Sequence, residues 1–329
     1  MSLFEVQDMR GDKSYKIVVA EPFSPEAISR LEQIGQVTVL QDAAPETMMA
    51  ALPNADALLV RSKAHVTARI IDAAPNLKVI GRASATADHI DLRAARRRNI
   101  SVVYAPQVAV SSTAEFTLAM IMALHRRLHF FDRQIREGQF DVLRTPAGRE
   151  MSRETLGLWG LDPIAERLGV LCTAAFGLRI LYHDPAGRDP VDFKGEAVDL
   201  DRLLAESDFL SLHLPHSAEN KAILNAQRLA KLKPTAIVVN TSRGSLIDTI
   251  ALAQALKKGD IAGAGLDVFE IEPLPADHPI RRAPRCILTP HVAGATLDAS
   301  SERFNVADDV VRVLTGEPPQ FPVPLPDQP

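Results

Sequence analysis

The sequence has little cysteine: Cys172 and Cys286 are its only two thiols. Two cysteines cannot build a disulfide framework or a cysteine-rich zinc site, and such low usage fits a reducing compartment. Aromatic residues make up only 5% of the chain, and the single tryptophan, Trp159, is read as core. No uncharged apolar run reaches the ~18 residues of a membrane span, so none is expected. The first sixteen residues, Met1 to Lys16, hold no apolar signal core, which makes a cytosolic protein the expectation. Neither sign of charge dominates, with 37 Lys and Arg against 41 Asp and Glu and a net charge of −4. So near neutrality, nucleic acid and membrane surfaces are not expected as partners. What remains is globular in kind: 46% hydrophobic and 24% charged residues over 329 positions. At about 150 residues per domain, that length suggests two.

Along the chain, apolar runs recur at short intervals. Lys16–Ala20, Gln36–Leu40, Ala57–Val60, Lys78–Gly81 and Ile100–Tyr104 read as buried strands. Helical stretches separate them, such as Pro45–Leu52 and Leu92–Arg98, and Ser24-Pro25 has the form of a helix start. This alternation predicts a parallel, doubly wound sheet. From Ser111 to Gly138 the spacing predicts one long helix, with Phe116, Leu118, Ile121, Leu124 and Leu128 on its apolar face. A second βα series follows, with strands at Leu156–Leu161, Arg179–His183, Phe209–Leu212, Ala236–Asn240, Ala264–Phe269 and Cys286–Leu288. Ala299–Thr315 reads as a helix, and the proline-rich stretch after it cannot continue one.

The second series opens on Thr155-Leu-Gly-Leu-Trp-Gly-Leu-Asp-Pro-Ile-Ala165. A strand runs into a turn at Gly160, and a helix starts at Pro163. Asp184 lies 24 residues beyond Gly160, at the end of the next strand. This is the layout of a dinucleotide site, with a glycine turn, a helix N-terminus for the pyrophosphate and an acid for the ribose. Gly160, Asp162, Ile164 and Asp184 are its candidate cofactor-binding residues. The glycine fingerprint is imperfect, and by itself this motif also describes a plain strand–turn–helix.

Three polar residues mark the ends of later strands. Arg243 lies in Asn240-Thr-Ser-Arg-Gly244, Glu272 in Asp267-Val-Phe-Glu-Ile-Glu-Pro273, and His291 in Leu288-Thr-Pro-His-Val292. Open α/β sheets place their sites just past the carboxyl ends of strands. There the three side chains have complementary chemistry. A guanidinium grips a carboxylate with two parallel hydrogen bonds. A carboxylate orients an imidazole, and the imidazole moves a proton on a hydroxyl or ketone oxygen.

With these residues the sequence resembles the D-isomer-specific 2-hydroxyacid dehydrogenases over nearly its whole length. The resemblance runs through Leu59-Val-Arg-Ser62, Val79-Ile-Gly-Arg-Ala83, Asp88-His-Ile-Asp91, Ala114-Glu115, Arg149-Glu150, Thr155–Gly160, Leu212-His-Leu-Pro215, Val239–Gly244, Asp267–Pro275 and Thr289–His291. The run Leu58–Thr67 is most similar to the phosphoglycerate dehydrogenase branch, and no C-terminal regulatory domain like that of some branch members is expected. The resemblance implies two doubly wound parallel-sheet domains: a flavodoxin-like substrate domain of residues 1–107 plus 298–329, and a Rossmann cofactor domain of residues 108–297. It implies NAD as cofactor, a small 2-hydroxy or 2-keto acid as substrate, and a homodimer built on the helix after Ser111. Arg243, Glu272 and His291 take the catalytic roles, with Asp184 on the adenosine ribose and Asp267 near the nicotinamide. Arg61 faces an anionic substrate group, and the loop of Ser84, Ala85 and Thr86 holds the substrate carboxylate.

The sequence departs from that pattern at three places. Asp162 replaces the second glycine of the cofactor turn, bringing bulk and a negative charge. Two like charges about 4 Å apart repel by roughly 4 kcal/mol at an effective dielectric of ~20. As an N-cap before Pro163, Asp162 is also expected to take the helix N–H groups that a phosphate would want. Ser84 and Thr86 stand where the family has glycines, which predicts strain if the loop needs positive φ. Ala109 stands where asparagine is common. These departures keep two rivals open: a non-catalytic binding or regulatory protein on the same fold, and an enzyme using another anionic ligand. The Arg93–Arg98 basic run and the His125-Arg-Arg127 cluster are read as solvated surface, and no metal site is expected.

Overall fold

Apolar, largely β-branched runs bounded by helices pair into two parallel sheets in the computed structural model, which describes residues 15–61, 63–140 and 148–324. One compact unit comprises described residues 15–109 and 297–324, the other residues 110–296.

The first unit holds β1 (Tyr15–Val19), β2 (Gly35–Val39), β3 (Ala57–Val60), β4 (Val79–Arg82) and β5 (Ser101–Tyr104). They pair in the order β2-β1-β3-β4-β5, all parallel. β3 and β4 are buried along their whole length, as expected of strands covered on both faces. Helix Val306–Thr315 returns from the far end of the chain and lays Val306, Ala307, Val310 and Leu314 on one face. Met48, Leu52, Ile70 and Ile71 cover the other. Apart from Ala307, each such side chain contributes about 1.5–3 kcal/mol on burial.

The second unit holds β6 (Thr155–Trp159), β7 (Arg179–His183), β8 (Glu196–Ala197), β9 (Phe209–Leu212), β10 (Ile237–Asn240), β11 (Gly263–Leu266) and β12 (Cys286–Leu288). Their order is β12-β11-β10-β9-β6-β7-β8, all parallel. The chain lays down β7 and β8 on one side of β6 and then crosses to build β9 to β12 on the other. The direction of winding therefore reverses between β6 and β9, and ligands of doubly wound sheets bind at the carboxyl ends flanking that switch. Trp159, at the end of β6, is core.

Several elements differ from the sequence expectation. The long helix is two helices, Val110–His125 and Leu128–Arg136. They break at Arg127, which is left-handed with φ 53°. A non-glycine residue there costs on the order of 1–2 kcal/mol, so nothing in the residue type announces the turn. His125, expected on the surface, is buried, with its ring edge-on to Phe209 at 5.0 Å and its Nε2 2.8 Å from the Arg149 carbonyl. The Arg127 guanidinium lies over Phe130 at 4.3 Å. The expected helix Ala299–Thr315 is also broken, into Leu297–Glu302, a 3₁₀ turn Arg303–Asn305 and Val306–Thr315. Strand β8 is too short to carry a periodic signal, and both its residues are exposed. Ser84 and Thr86 both have negative φ, so the predicted backbone strain is not present; Ala109, at φ 61°, carries it instead. Among the described residues no helix is long and apolar enough to cross a membrane.

Candidate active site

Arg243, Glu272 and His291 follow β10, β11 and β12, three strands adjacent in the sheet. After β10, buried Asn240 shapes the turn: its amide oxygen accepts from Ser242 N–H at 3.0 Å and its amide nitrogen donates to the Arg243 carbonyl at 2.9 Å. Arg243 is extended, and one of its Nη atoms donates to the Ser242 carbonyl at 2.9 Å. The next residue, Gly244, passes against the backbone of Phe269, where a Cβ would lie 2.0 Å from the carbonyl carbon. Glycine is required there, and it brings the Arg243 turn onto the segment that leads to Glu272.

Glu272 Oε1 accepts from Phe269 N–H at 2.9 Å, which turns Oε2 toward His291 Nδ1, also at 2.9 Å. With the carboxylate ionised, Nδ1 carries the proton that makes this bond. Nε2 is then the ring nitrogen not committed to Glu272. His291 has φ 56°, and its exposed ring is presented by a loop clamped from below. The clamp is Asp267, which is fully buried. Its carbonyl accepts from His291 N–H at 2.8 Å, and its carboxylate accepts from Thr289 Oγ1 at 2.6 Å, Val292 N–H at 2.9 Å and Ala293 N–H at 2.8 Å. The side chain of Asp267, a candidate cofactor-binding residue, thus accepts from the loop that carries the histidine.

The dinucleotide turn lies at the switch point. Gly160 has φ 95°, and a Cβ on it would stand 2.4 Å from the His213 carbonyl, so the turn admits no side chain. Asp162 caps helix Pro163–Phe176, accepting from Ala165 N–H at 2.7 Å, and the same oxygen lies 3.1 Å from His213 Nδ1. Burial pushes the Asp162 carboxyl up, but His213 and the Ala165 and Ile164 N–H groups outweigh it and hold the carboxyl below its ordinary value. The Ile164 side chain packs into the core. Asp184, at the end of β7, accepts from Leu161 N–H at 3.1 Å and from Arg188 Nη2 and Nε, each at 2.8 Å. Burial pushes its carboxyl up too, and the Arg188 bonds more than reverse this.

In the other unit, Arg61 follows β3. Sequence reasoning missed the residue that holds it. Glu21, at the end of β1 and buried, accepts from the N–H groups of Arg61 at 2.6 Å, Lys63 at 3.2 Å and Ala64 at 3.2 Å. Arg61 Nη1 donates to the Pro22 carbonyl at 2.9 Å, while its buried Nε has no partner. The strand-end rule that found the other site residues points equally to Glu21. Ser84 accepts from Ala105 N–H through its carbonyl at 3.0 Å, Ala85 is exposed, and Thr86 Oγ1 donates to Asp88 at 2.9 Å.

A doubly wound sheet with a glycine turn at its switch point and an imidazole–carboxylate pair on its carboxyl edge defines a nucleotide-dependent dehydrogenase. Comparison with known proteins gives the family. Residues 118–293 match the model of the D-isomer specific 2-hydroxyacid dehydrogenase, NAD binding domain. A glyoxylate reductase of Thermofilum pendens is 39% identical over 318 residues, 92% of this chain and 93% of the relative. A D-3-phosphoglycerate dehydrogenase of Archaeoglobus fulgidus is 36% identical over 315 residues, 94% of this chain but 59% of the relative. The crystal structure of the TT0316 protein from Thermus thermophilus, 33% identical, superposes with a TM-score of 0.83 over 94% of this chain and all of that one. The chain belongs to the D-isomer specific 2-hydroxyacid dehydrogenase family and is an NAD-dependent dehydrogenase. The residues present suit NAD in outline: a glycine turn with no room for a side chain, a helix start beyond it and a buried acid at the end of the next strand. Among the described residues of this turn, Asp162 is discordant.

Proposed function

We propose that the protein interconverts a small 2-keto acid and its D-2-hydroxy acid, with a 3-phosphoglycerate-like acid as the candidate substrate. The carrying observation is the 2.9 Å bond between His291 Nδ1 and Glu272, on the strand next to the Arg243 turn. The Gly160 turn and Asp184 would hold NADH, which would supply a hydride when bound. Arg243 pairs with the substrate carboxylate and polarises the keto oxygen. His291 Nε2 gives that oxygen its proton in reduction and takes it back in oxidation. Glu272 keeps the ring in the tautomer and orientation this requires, and Asp267 keeps the loop in place. By the resemblance, Ser84, Ala85, Thr86 and Arg61 are substrate-binding residues in this proposal. Asp184 favours NAD over NADP, because an acid repels a 2′-phosphate.

The relatives' names support both a glyoxylate and a phosphoglycerate reading, and Arg61 favours the second. A homodimer is part of the proposal. It is supported by helix Leu128–Arg136, which buries none of its residues and leaves Leu128 and Ile135 more than half exposed. The test is NADH oxidation with glyoxylate, hydroxypyruvate and phosphohydroxypyruvate, with light scattering for the assembly. Preference for the phosphorylated acid, lost in Arg61→Ala, supports the candidate. Equal turnover of all three by both proteins would replace it with a general keto-acid reductase.

A further inference from the structure

Asp162 stands where dinucleotide turns carry the glycine that lets the backbone approach the pyrophosphate. Its carboxylate is engaged on two sides. Ala165 N–H, a donor that a phosphate would otherwise use, points at it from 2.7 Å. His213 Nδ1, from the end of β9, lies 3.1 Å away on a side chain that is 1% exposed, and Nε2 of the same ring meets Ser211 Oγ at 2.8 Å. The helix start is thus already supplied with an anion, and the anion with an imidazole partner. The other charged groups here are Glu166 on the same helix and the Asp184–Arg188 pair at the end of β7; the Arg188 guanidinium senses both Asp162 and Glu166.

We propose that Asp162 is an internal stand-in for the pyrophosphate, and that NAD(H) binds by displacing its carboxylate from the helix start with uptake of a proton by that carboxylate. A phosphate brought to the turn sets negative charge beside Asp162 and His213. That favours the protonated form of the Asp162 carboxyl, so a proton enters with the dinucleotide. The substitution therefore limits cofactor affinity and favours cofactor exchange without touching the catalytic edge. The inference rests on NAD as the cofactor and is independent of the substrate.

The test is calorimetric titration of NADH into wild type, Asp162→Asn, Asp162→Ser and Asp162→Gly, in two buffers of different ionisation enthalpy. Asn and Ser keep a helix cap while removing the charge, so a folded neutral variant is in hand even if glycine weakens the helix start. Thermal unfolding of each protein without cofactor verifies folding. The expected result is that the neutral variants bind NADH at least tenfold tighter than wild type. Wild type should take up protons on binding, and Asp162→Asn less than half as many. Affinities within twofold of wild type in all variants, or no proton uptake by wild type, would overturn the proposal. Binding by none of the four proteins would overturn the NAD reading along with it.

Discussion

Two groups of strand ends on one sheet use the same residue types to opposite effect. At the ends of β10 to β12, carboxylates accept from the backbone that presents a histidine. Buried Asp267 holds loop 289–293, and Glu272 holds the His291 ring. At the ends of β6, β7 and β9, carboxylates meet side-chain nitrogens instead: Asp162 lies beside the His213 ring, and Asp184 pairs with Arg188. The first arrangement leaves a ring nitrogen uncommitted for chemistry. The second closes a dinucleotide turn on itself. The proposed catalytic residues and the modified cofactor turn therefore lie at different strand ends of one sheet.

Substitutions on the catalytic edge should break that comparison most strongly. Arg243→Ala should lower kcat/KM by about 10²–10³-fold, the scale of a lost charge-assisted carboxylate contact, while calorimetry finds NADH affinity unchanged. Arg243→Lys should recover only part of the loss, because an ammonium lacks the planar fork. Asp267→Asn should lower kcat and also cost about 1–3 kcal/mol of stability, because an amide cannot accept all the bonds this buried carboxylate now takes. Denaturant unfolding measures the second effect.

The amino end of the same sheet provides a control. Burial, and then the neighbouring Asp208 carboxylate, push Glu154 up to about 7. The native state keeps a proton that the unfolded chain releases between its ordinary value of 4.5 and about 7, so stability is lost as pH rises through that window. The full loss is on the order of 3 kcal/mol. Melting temperatures from pH 4.5 to 8 should fall accordingly in wild type and stay flatter in Glu154→Gln. The smallest effect is expected at Ala109, whose φ of 61° suits asparagine better than alanine. Ala109→Asn should stabilise by about 0.5 kcal/mol in the same unfolding assay.

Much of this was legible in the sequence because strand-end chemistry is local. A polar residue a few positions after a buried run lands on the sheet's carboxyl edge, which placed Arg243, Glu272 and His291 correctly relative to the strands. The capping role of Asp162 followed in the same way from the proline after it. Longer-range contacts were not legible. Nothing near Glu21 in sequence tells that it holds the Arg61 segment 40 residues on, and nothing near His213 tells that it meets Asp162. Arg127 ends a helix without glycine or proline, and nothing near Asp267 tells that donors more than 20 residues on, in the histidine loop, reach its carboxylate.

The central claim is that His291 moves the proton while the cofactor site acts independently. Single-turnover oxidation of NADH by a 2-keto acid, wild type against His291→Gln, tests it directly when paired with calorimetric NADH binding. The account predicts a rate about 10²–10⁴-fold slower in the variant, with the dissociation constant for NADH unmoved. Equal rates in the two proteins would contradict it.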